Sequence, residues 1–286
     1  MANLKEIRNR ITSIKSTMQI TSAMKMVSAA KLKKAQDAIT AMRPYANKLT
    51  ELLQSLSATL DGDTGSKFAS QREVKKVLIV AITSNRGLCG AFNTNIIKEV
   101  SRLASEDYAD KEVGVVTIGK KGNDILGKTL NIVENNNDIF DDLTFENGAG
   151  IAESLMQLFV DGEYDKIELV YNKFKNAATQ IVMTEQFLPI VPMEGEADAN
   201  LDYIFEPSKV EIVEQLIPKS LKTQLFKAIR DSFASEHGAR MTAMHKATDN
   251  AGELRDSLTL TYNKARQAAI TNEILEIVGG AEALNS

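Results

Sequence analysis

Residues 4–18 read LKEIRNRITSIKSTM, and their apolar side chains recur at alternating spacings of three and four. The same register resumes after a polar interval. Its apolar positions are Leu4, Ile7, Ile11, Ile14, Met18, Leu32, Ala35, Ile39, Met42, Ala46, Leu49, Leu53, Leu56 and Leu60. This spacing places every member on one stripe of a helix, as in the seam of a coiled coil. The sequence therefore predicts a long N-terminal helix, kinked or broken at Pro44 because proline lacks an amide donor.

The other end of the chain carries a similar pattern. Its members are Met244, Ala251, Leu254, Leu258, Ala265, Ala268, Ile270, Ile274, Ile277, Ala281 and Leu284. A capping box of Ser208 and Glu211 predicts the start of this helical region, and Pro218 is expected to divide a short entry helix from the long one. Because both ends carry a seam, we expect them to pair in one coiled coil. A helix of this length reaches about 80 Å, so other subunits are expected to cover most of it.

Strand and helix signals alternate in the central part of the chain. Residues 77–82 form a continuous apolar run, as expected of a strand that is buried on both faces. Further strands are predicted near residues 113–118, 167–171 and 181–183, with helices near 93–103 and 149–159. This alternation predicts an α/β layer with parallel strands. The predicted boundaries are 1–60 for the N-terminal helix, 61–207 for the α/β domain and 208–286 for the C-terminal helix.

Composition excludes several classes of protein. Of the 286 residues 43% are hydrophobic, as in a soluble globular protein. The longest apolar run, at residues 77–82, is far shorter than the roughly 20 residues of a membrane-spanning helix. Cys89 is the only cysteine, which excludes an intramolecular disulfide and favours a reducing compartment. Residues 1–35 are basic like a transit peptide, but their seam continues beyond any cleavage point, so we interpret them as mature structure.

Charge is distributed unevenly along the chain. The formal net charge is −4, yet the opening segment is basic. Its basic residues are Lys5, Arg8, Arg10, Lys15, Lys25, Lys31, Lys33, Lys34 and Arg43, and its acidic residues are Glu6 and Asp37. This pattern is typical of a solvated helix face, or else it indicates an acidic partner, either a protein or a nucleic acid. The sequence pI of 5.5 and the lack of aromatic residues among the basic ones argue against nucleic acid.

Known site motifs are missing from the sequence. Residues 86–90 (RGLCG) are not a G-x-G-x-x-G turn, and residues 119–122 (GKKG) lack the spacing and hydroxyl of a P-loop. His237 and His245 lie eight apart on the last helix without further metal ligands. Cys89 has no histidine near it in sequence, so a catalytic thiol is not expected, although its turn would leave it accessible. We therefore predict no catalytic residue, no cofactor and no metal.

Small and polar residues interrupt the seam. Thr21, Lys25 and Ser28 occupy seam positions of the first helix. Alanines flank them and recur in the last helix, at 23, 29, 30, 35, 247, 251, 265, 268 and 269. Small residues let two backbones approach closely and keep the pair thin. The pattern indicates either an imperfect coiled coil or a slender axle that can turn inside a sleeve.

Several segments together carry a family resemblance. They are Ile20–Leu32, Arg86–Asn93, Ala247–Ala251, Tyr262–Thr271 and Glu276–Val278. Through them the whole chain resembles the gamma subunits of F-type ATP synthases. The resemblance implies an α/β fold with a long antiparallel coiled coil of the N- and C-terminal helices plus a Rossmann-like α/β globular domain. It also implies a rotor shaft without catalysis of its own, which couples rotation of a membrane ring to conformational cycling of catalytic beta subunits.

The resemblance further implies partners and contact residues. The partners are the alpha and beta subunits, as a hexamer around the shaft, the epsilon subunit and the membrane c-ring, with no nucleic acid and with membrane contact only through the complex. Met24 and Lys25 would lie against the acidic lever of the beta subunits, and Arg240, Arg266, Gln267 and Thr271 would contact their catch loops. The foot near epsilon and the ring would contain Arg86, Gly87, Leu88, Cys89 and Gly90.

The sequence departs from the family pattern in places. Asn85 stands where many relatives carry Asp, and Ala91 replaces a common Gly. The inserted cysteine pair of plastid relatives is missing, which excludes their thiol control. The initial Met1 without a presequence favours a bacterial protein on the cytoplasmic face of the plasma membrane. The alternatives are a Rossmann-like nucleotide-binding enzyme with helical arms, and a basic coiled-coil scaffold; tight nucleotide binding by the isolated chain would favour the first, and self-association with salt-dependent nucleic-acid binding the second.

Overall fold

Long helices form both ends of the chain, as the seams predict. The computed structural model describes residues 4–57, 67–68, 70, 72–190 and 209–285. Helix α1 spans Leu4–Ser57 and helix α5 spans Lys209–Asn285. The capping residue Ser208 and the seam position at residue 60 lie outside the described residues.

Proline does not end either long helix. Pro44 lies inside α1, so of the predicted kink or break the break is excluded. Pro218 lies inside α5, so the predicted division there is wrong. A proline removes one backbone hydrogen bond and clashes with the preceding turn, at a cost of about 3 kcal/mol. Apolar packing along the rest of each helix outweighs that cost, since Leu221 and Leu225 are buried just after Pro218.

The middle of the chain folds into a five-stranded sheet with the order β3-β2-β1-β4-β5. The strands are β1 (Lys76–Ile82), β2 (Glu112–Ile118), β3 (Asn131–Asn135), β4 (Lys166–Phe174) and β5 (Gln180–Leu188). The helices are α2 (Phe92–Arg102), continued by a π-helical turn at Leu103–Asp107, α3 (Lys120–Leu126) and α4 (Phe145–Val160). Strands β1 to β4 pair in parallel, which confirms the predicted α/β class.

Parts of this sheet differ from the sequence prediction. Strand β5 is longer than predicted and pairs antiparallel with β4. Strand β3 and helix α3 were not predicted. Strand β3 lies at an edge, where its residues alternate between exposed and half-buried, so it lacks the apolar run of an interior strand. Helix α3 is too short to display a helical repeat.

Both faces of the sheet are covered. One apolar cluster joins Leu78 and Val80 of β1 to α4 and to the early part of α5, where Leu221 and Leu225 are buried. The other joins Val77 and Ile79 of β1 to α2 and α3. Strand β1 is thus buried on both faces, as predicted. Helix α5 supplies part of the core of the α/β layer before it continues toward the C-terminus.

The chain divides into two compact units, of which one contains Met1–Ser28 with Met241–Ser286 and the other contains Ala29–Arg240. In the first unit α1 and α5 pack antiparallel, since Thr21 bonds Thr248 at 2.7 Å and Met18 faces Gly252. The α1 seam is confirmed over residues 4–18, because Ile7 is buried and its neighbours on the stripe are half-buried. The α5 seam runs instead through Met244, Thr248, Ala251, Arg255, Leu258, Tyr262 and Ala265.

The predicted α5 seam is therefore partly wrong. Leu254 is 51% exposed, and Ala268 is exposed as well. Arg255 and Tyr262 lie on the seam in their place. Both are tolerated there because a long side chain can pack its apolar stem or ring at a seam and keep its polar tip in water. Every residue from 270 to 281 is exposed. Among the described residues, no helix combines the length and the apolar character that crossing a membrane requires.

Candidate functional site

The loop between β1 and α2 lies at the carboxyl edge of the parallel strands, where α/β proteins commonly bind nucleotides. Here Arg240 of α5 occupies the loop. Its Nη2 atom donates to the Arg86 carbonyl at 2.9 Å and to the Gly87 carbonyl at 3.3 Å, and its Nε atom lies 3.4 Å from the same Gly87 oxygen. A phosphate is bound through backbone amides, whereas this loop directs carbonyls at a cation of its own chain. The loop therefore does not form a phosphate cradle.

A second contact, with Glu236, orients the Arg240 side chain. Its Nη1 atom donates to Oε1 of Glu236 one helical turn earlier, and both side chains are almost fully buried. Burial raises the pKa of the Glu236 carboxyl, and the positive charge of Arg240 opposes that rise. The two residues form a desolvated ion pair that points the guanidinium at the loop.

His237 lies next to this pair and is neutral at physiological pH. Burial, together with the positive charges of Arg240 and Lys31, lowers the pKa of His237 to about 3. Its ring packs edge-on against Phe233, with centroids 4.5 Å apart. His245 is exposed and pairs with Asp249. Among the described residues, no group of His, Cys, Asp and Glu could hold a metal ion.

Leu88 stands at the tip of the loop in a strained conformation. Its φ is 61°, and its side chain is 65% exposed. Cys89 turns inward instead and is buried, so the expected accessibility of its thiol is wrong. Left-handed backbone at Leu88 and at Gly90 folds the turn tightly and directs the intervening side chain toward Asn93, whose Nδ2 lies 3.3 Å from the sulfur. Burial raises the pKa of the Cys89 thiol, which keeps it protonated.

Asn85 joins neighbouring loops at the same edge of the sheet. Its Nδ2 donates to the Asn137 carbonyl at 2.9 Å, and its Oδ1 accepts from the Lys120 amide at 2.9 Å. Only an amide can make both bonds at once, because an aspartate could accept from Lys120 but could not donate to Asn137. Asn85, where the family resemblance leads us to expect Asp, is thus matched to the surrounding backbone.

The structure distributes the predicted contact residues over both units. Met24 and Lys25 are half-buried on α1, while Arg266, Gln267 and Thr271 are exposed on α5. Arg240, by contrast, is buried in the other unit against Arg86 and Gly87. The sequence offered no signal for this contact, since Arg240 lies 153 positions from Gly87.

Large apolar side chains are exposed on the unit that contains the two ends of the chain. They are Ile20, Met26 and Val27 of α1, and Leu254, Leu260, Ile270, Ile274, Leu275, Ile277 and Val278 of α5. Where exposed apolar side chains gather into a patch, that patch commonly marks a site of protein interaction.

Comparison with known proteins agrees with this arrangement. The family model described as ATP synthase matches residues 3–284. The ATP synthase gamma chain of Flavobacterium psychrophilum is 76% identical over 285 residues, which are 99% of each chain. The chain belongs to the ATP synthase gamma-chain family. The gamma chain of Flavobacterium johnsoniae is likewise 76% identical, over the full length of both chains, and that of a Geobacter species is 45% identical over 99% of each.

Solved structures place the fold in the same family. The central stalk and c-ring structure of the Tetrahymena thermophila mitochondrial ATP synthase contains a chain that is 28% identical, with a TM-score of 0.60, over 80% of this chain and 99% of that one. A rotor chain of the Euglena gracilis mitochondrial ATP synthase shares the fold with a TM-score of 0.68 at 23% identity, over 93% and 98% of the two chains. The predicted resemblance is confirmed. As a gamma chain of bacterial type, this protein functions in the central stalk of the rotary F-type ATP synthase.

Proposed function

We propose that this gamma chain is the rotating shaft of its synthase, and that its C-terminal end turns inside an apolar sleeve made by the alpha and beta subunits. The observation that carries the proposal is the end of α5, where Ile270, Ile274 and Ile277 are exposed. Helix α1 contacts α5 earlier along α5, where Thr21 meets Thr248 and Met18 faces Gly252. Burial of these side chains in a sleeve would stabilise the complex by about 25 cal/mol for each Å² of apolar surface removed from water.

The small residues at the contact of the two helices support rotation within that sleeve. Thr21 and Thr248 meet through their short hydroxyl side chains, and Gly252 faces Met18. Small residues at the contact bring the helices together and leave a slender pair. An apolar outer surface makes no directional bonds, so it can slide against a wall with similar energy at each angle.

Contact with the partners would then depend on particular polar residues. We assign Met24 and Lys25 to the acidic lever of the beta subunits, and Arg266, Gln267 and Thr271 to their catch loops. Exposure of the last three side chains supports this assignment. The basic charge of α1 suits an acidic lever.

The other unit would form the foot of the shaft. We assign the loop Arg86–Gly90, in which Arg86 and Leu88 are exposed, to the side that faces epsilon and the c-ring, at the cytoplasmic face of the bacterial membrane. Arg240, which the family resemblance assigns to a catch loop, is buried here, so we propose that it acts inside its own chain.

Coupling would arise from asymmetry. An off-axis helix pair presents a different side to each of three chemically identical catalytic sites, so each angle favours a different combination of open and closed sites. Differential contact energy thereby converts rotation into changes of nucleotide affinity. The gamma chain would perform no catalysis, which the Arg240-filled loop at the carboxyl edge of the sheet supports against the nucleotide-binding alternative.

The test uses two exposed isoleucines and two exposed glutamates from the same helical turns. Ile274→Ser with Ile277→Ser removes apolar surface, while Glu273→Ser with Glu276→Ser is the matched control. Each variant is co-expressed with alpha, beta and epsilon subunits and assembled with the ring in vesicles. We expect the isoleucine variant to unfold in urea within about 0.5 kcal/mol of the wild type, because these side chains are exposed, but to lose proton uptake per ATP hydrolysed.

The control should retain coupling. Equal coupling in both double variants would show that the apolar end is not held in a sleeve. Tight nucleotide binding by the isolated chain, without assembly, would favour the enzyme alternative instead.

A further inference from the structure

We propose that Arg240, oriented by Glu236, is a positioning residue that locks the Arg86–Gly90 loop so that Leu88 and Arg86 are presented to a partner. The surface that would receive them has an apolar recess beside a carboxylate. The locking itself follows from contacts within the chain, and only the identity of the partner rests on the function proposed above.

Strain at Leu88 is the first step of the argument. Among the described residues, Leu88 is the only one other than glycine with a positive φ. Left-handed backbone is unfavourable for a residue with a branched side chain, so the surrounding contacts must stabilise it. Such strain occurs where a site needs one particular side-chain direction.

Arg240 supplies the stabilising contacts. It binds the carbonyls of Arg86 and Gly87, the residues immediately before Leu88. A guanidinium is a rigid planar fork of donors that holds two carbonyl oxygens in a fixed geometry, whereas a lysine ammonium is a single flexible point of charge without that fork. Glu236 fixes the remaining edge of the fork. On the far side of Leu88, the buried Cys89 accepts a contact from Asn93 and completes the anchoring.

The outcome is an apolar side chain held out in solvent. Leu88 is 65% exposed, and Arg86 beside it is exposed as well. The exposed part of the Leu88 side chain contributes no burial energy to the fold of its own chain. A side chain that is already fixed in its bound conformation binds a partner at a lower entropic cost. Because the cationic Arg86 lies beside Leu88, the complementary surface would combine an apolar recess with a carboxylate.

Cys89 provides a direct probe of the locked loop, because it is the only cysteine of the chain and is buried when the loop is closed. The rate at which its thiol reacts with a disulfide reagent is measured on the full folded chain. Replacing Arg240 by Lys should raise this rate about tenfold or more, since lysine keeps the charge but lacks the planar fork that binds both carbonyls of the loop. The matched control is Arg230→Lys, because Arg230 also lies on α5 and donates to a carbonyl, that of Leu143, away from the loop.

The control should react at the wild-type rate. A wild-type rate in folded Arg240→Lys would overturn the proposal. If Arg240→Lys does not fold, Glu236→Gln gives the same test by loosening the guanidinium, with a smaller increase expected. An unchanged rate in that variant would equally overturn the proposal.

A double-mutant cycle in the assembled synthase tests whether Arg240 acts through Leu88. Leu88→Ala and Arg240→Lys should each lower proton uptake per ATP hydrolysed, and the double variant should lose no more than the more affected single variant. Additive losses would show that Arg240 acts by another route. The thiol assay does not involve partners, so a failure there concerns the lock alone, whereas a wild-type chain that does not assemble would refute the shaft function.

Discussion

Arg43 of α1 donates to the buried carboxylate of Asp231 on α5, with Nη2 3.2 Å from Oδ1. The side chain of Asp231 is only 1% exposed, and burial raises its pKa despite the nearby Arg43. Arg43 also donates to the carbonyl of Phe174 at the end of β4. A single guanidinium thus ties both long helices to the sheet within the unit formed by residues 29–240.

Removing the cation should destabilise the chain. Arg43→Met leaves the Asp231 carboxylate buried without its partner, and we expect a loss of about 3 kcal/mol in the free energy of unfolding. Arg43→Met combined with Asp231→Leu should recover most of that loss, because no charge then remains buried. Urea unfolding at pH 7 measures both.

The matched control for this pair is Lys33→Met, which removes an exposed pair with Asp37 one turn away on α1. Its effect should stay below about 0.5 kcal/mol. A comparable loss in Lys33→Met and Arg43→Met would show that burial of Asp231 does not set the energy.

Acid should weaken the fold through His237. The pKa of His237 is about 3 in the folded chain and about 6.5 when unfolded. The unfolded state therefore binds more protons between these values, and stability falls as the pH drops below about 6.5. Between pH 7 and pH 5 the wild type should lose about 2 kcal/mol more than His237→Gln.

Urea unfolding of both chains at the two pH values measures this difference. The raised pKa values of Asp231 and Glu236 act in the opposite direction. A carboxyl that is protonated more easily in the folded chain than in the unfolded chain raises the free energy of unfolding as the pH falls. Both groups are present in both chains, so their contributions largely cancel. Parallel pH profiles for the two chains would contradict a neutral buried His237.

Two glycines of α4 should respond to alanine with opposite signs. A Cβ at Gly148 would lie 2.8 Å from Cδ2 of Phe226, whereas a Cβ at Gly150 would meet nothing within 4 Å. The Phe226 ring cannot easily move, since Phe145 packs edge-on at 5.5 Å and Arg230 covers its face at 4.9 Å. We expect Gly148→Ala to lose about 1–3 kcal/mol by overpacking.

Gly150→Ala should instead gain about 0.5–1 kcal/mol, because alanine has the higher helix propensity. Thermal or urea unfolding compares the two. Adding Phe226→Leu to Gly148→Ala should restore part of the loss if the ring is the cause, and an unrelieved loss would point to the backbone of α4.

Asn85→Asp tests the amide that joins the loops. The carboxylate would keep the bond from the Lys120 amide but would face the Asn137 carbonyl without a proton to donate. We expect a loss of about 1–2 kcal/mol at pH 7. Below about pH 4 the protonated carboxyl can donate again, so the difference from wild type should narrow. A loss that is constant with pH would contradict this explanation.

The sequence predicted features that repeat along the chain. The seam of α1 follows from its apolar spacing, because a helix displays every third or fourth residue on one side. The buried strand β1 follows from an unbroken apolar run. The seam of α5 was predicted less well, because Arg255 and Tyr262 occupy positions for which hydrophobicity alone would favour Leu254.

Family motifs identified the segments that would contact partners, but they did not show which side chains are free to do so. Arg266 is exposed on α5, whereas Arg240 is buried, although both are arginines on the same helix. The difference depends on what α5 packs against at each point. Near Arg240 it crosses the loop that follows β1, which lies far away in sequence.

The sequence by itself determined the long helices, the α/β layer between them and the gamma-chain family. Periodicity and motifs are local properties, so they can be recognised without knowing which residues are in contact. The tertiary structure decided the continuity of the helices through Pro44 and Pro218, the burial of Cys89 and the lock of Arg240 on Arg86 and Gly87. Each of these depends on contacts between residues distant in the chain, whose energies outweigh local preference.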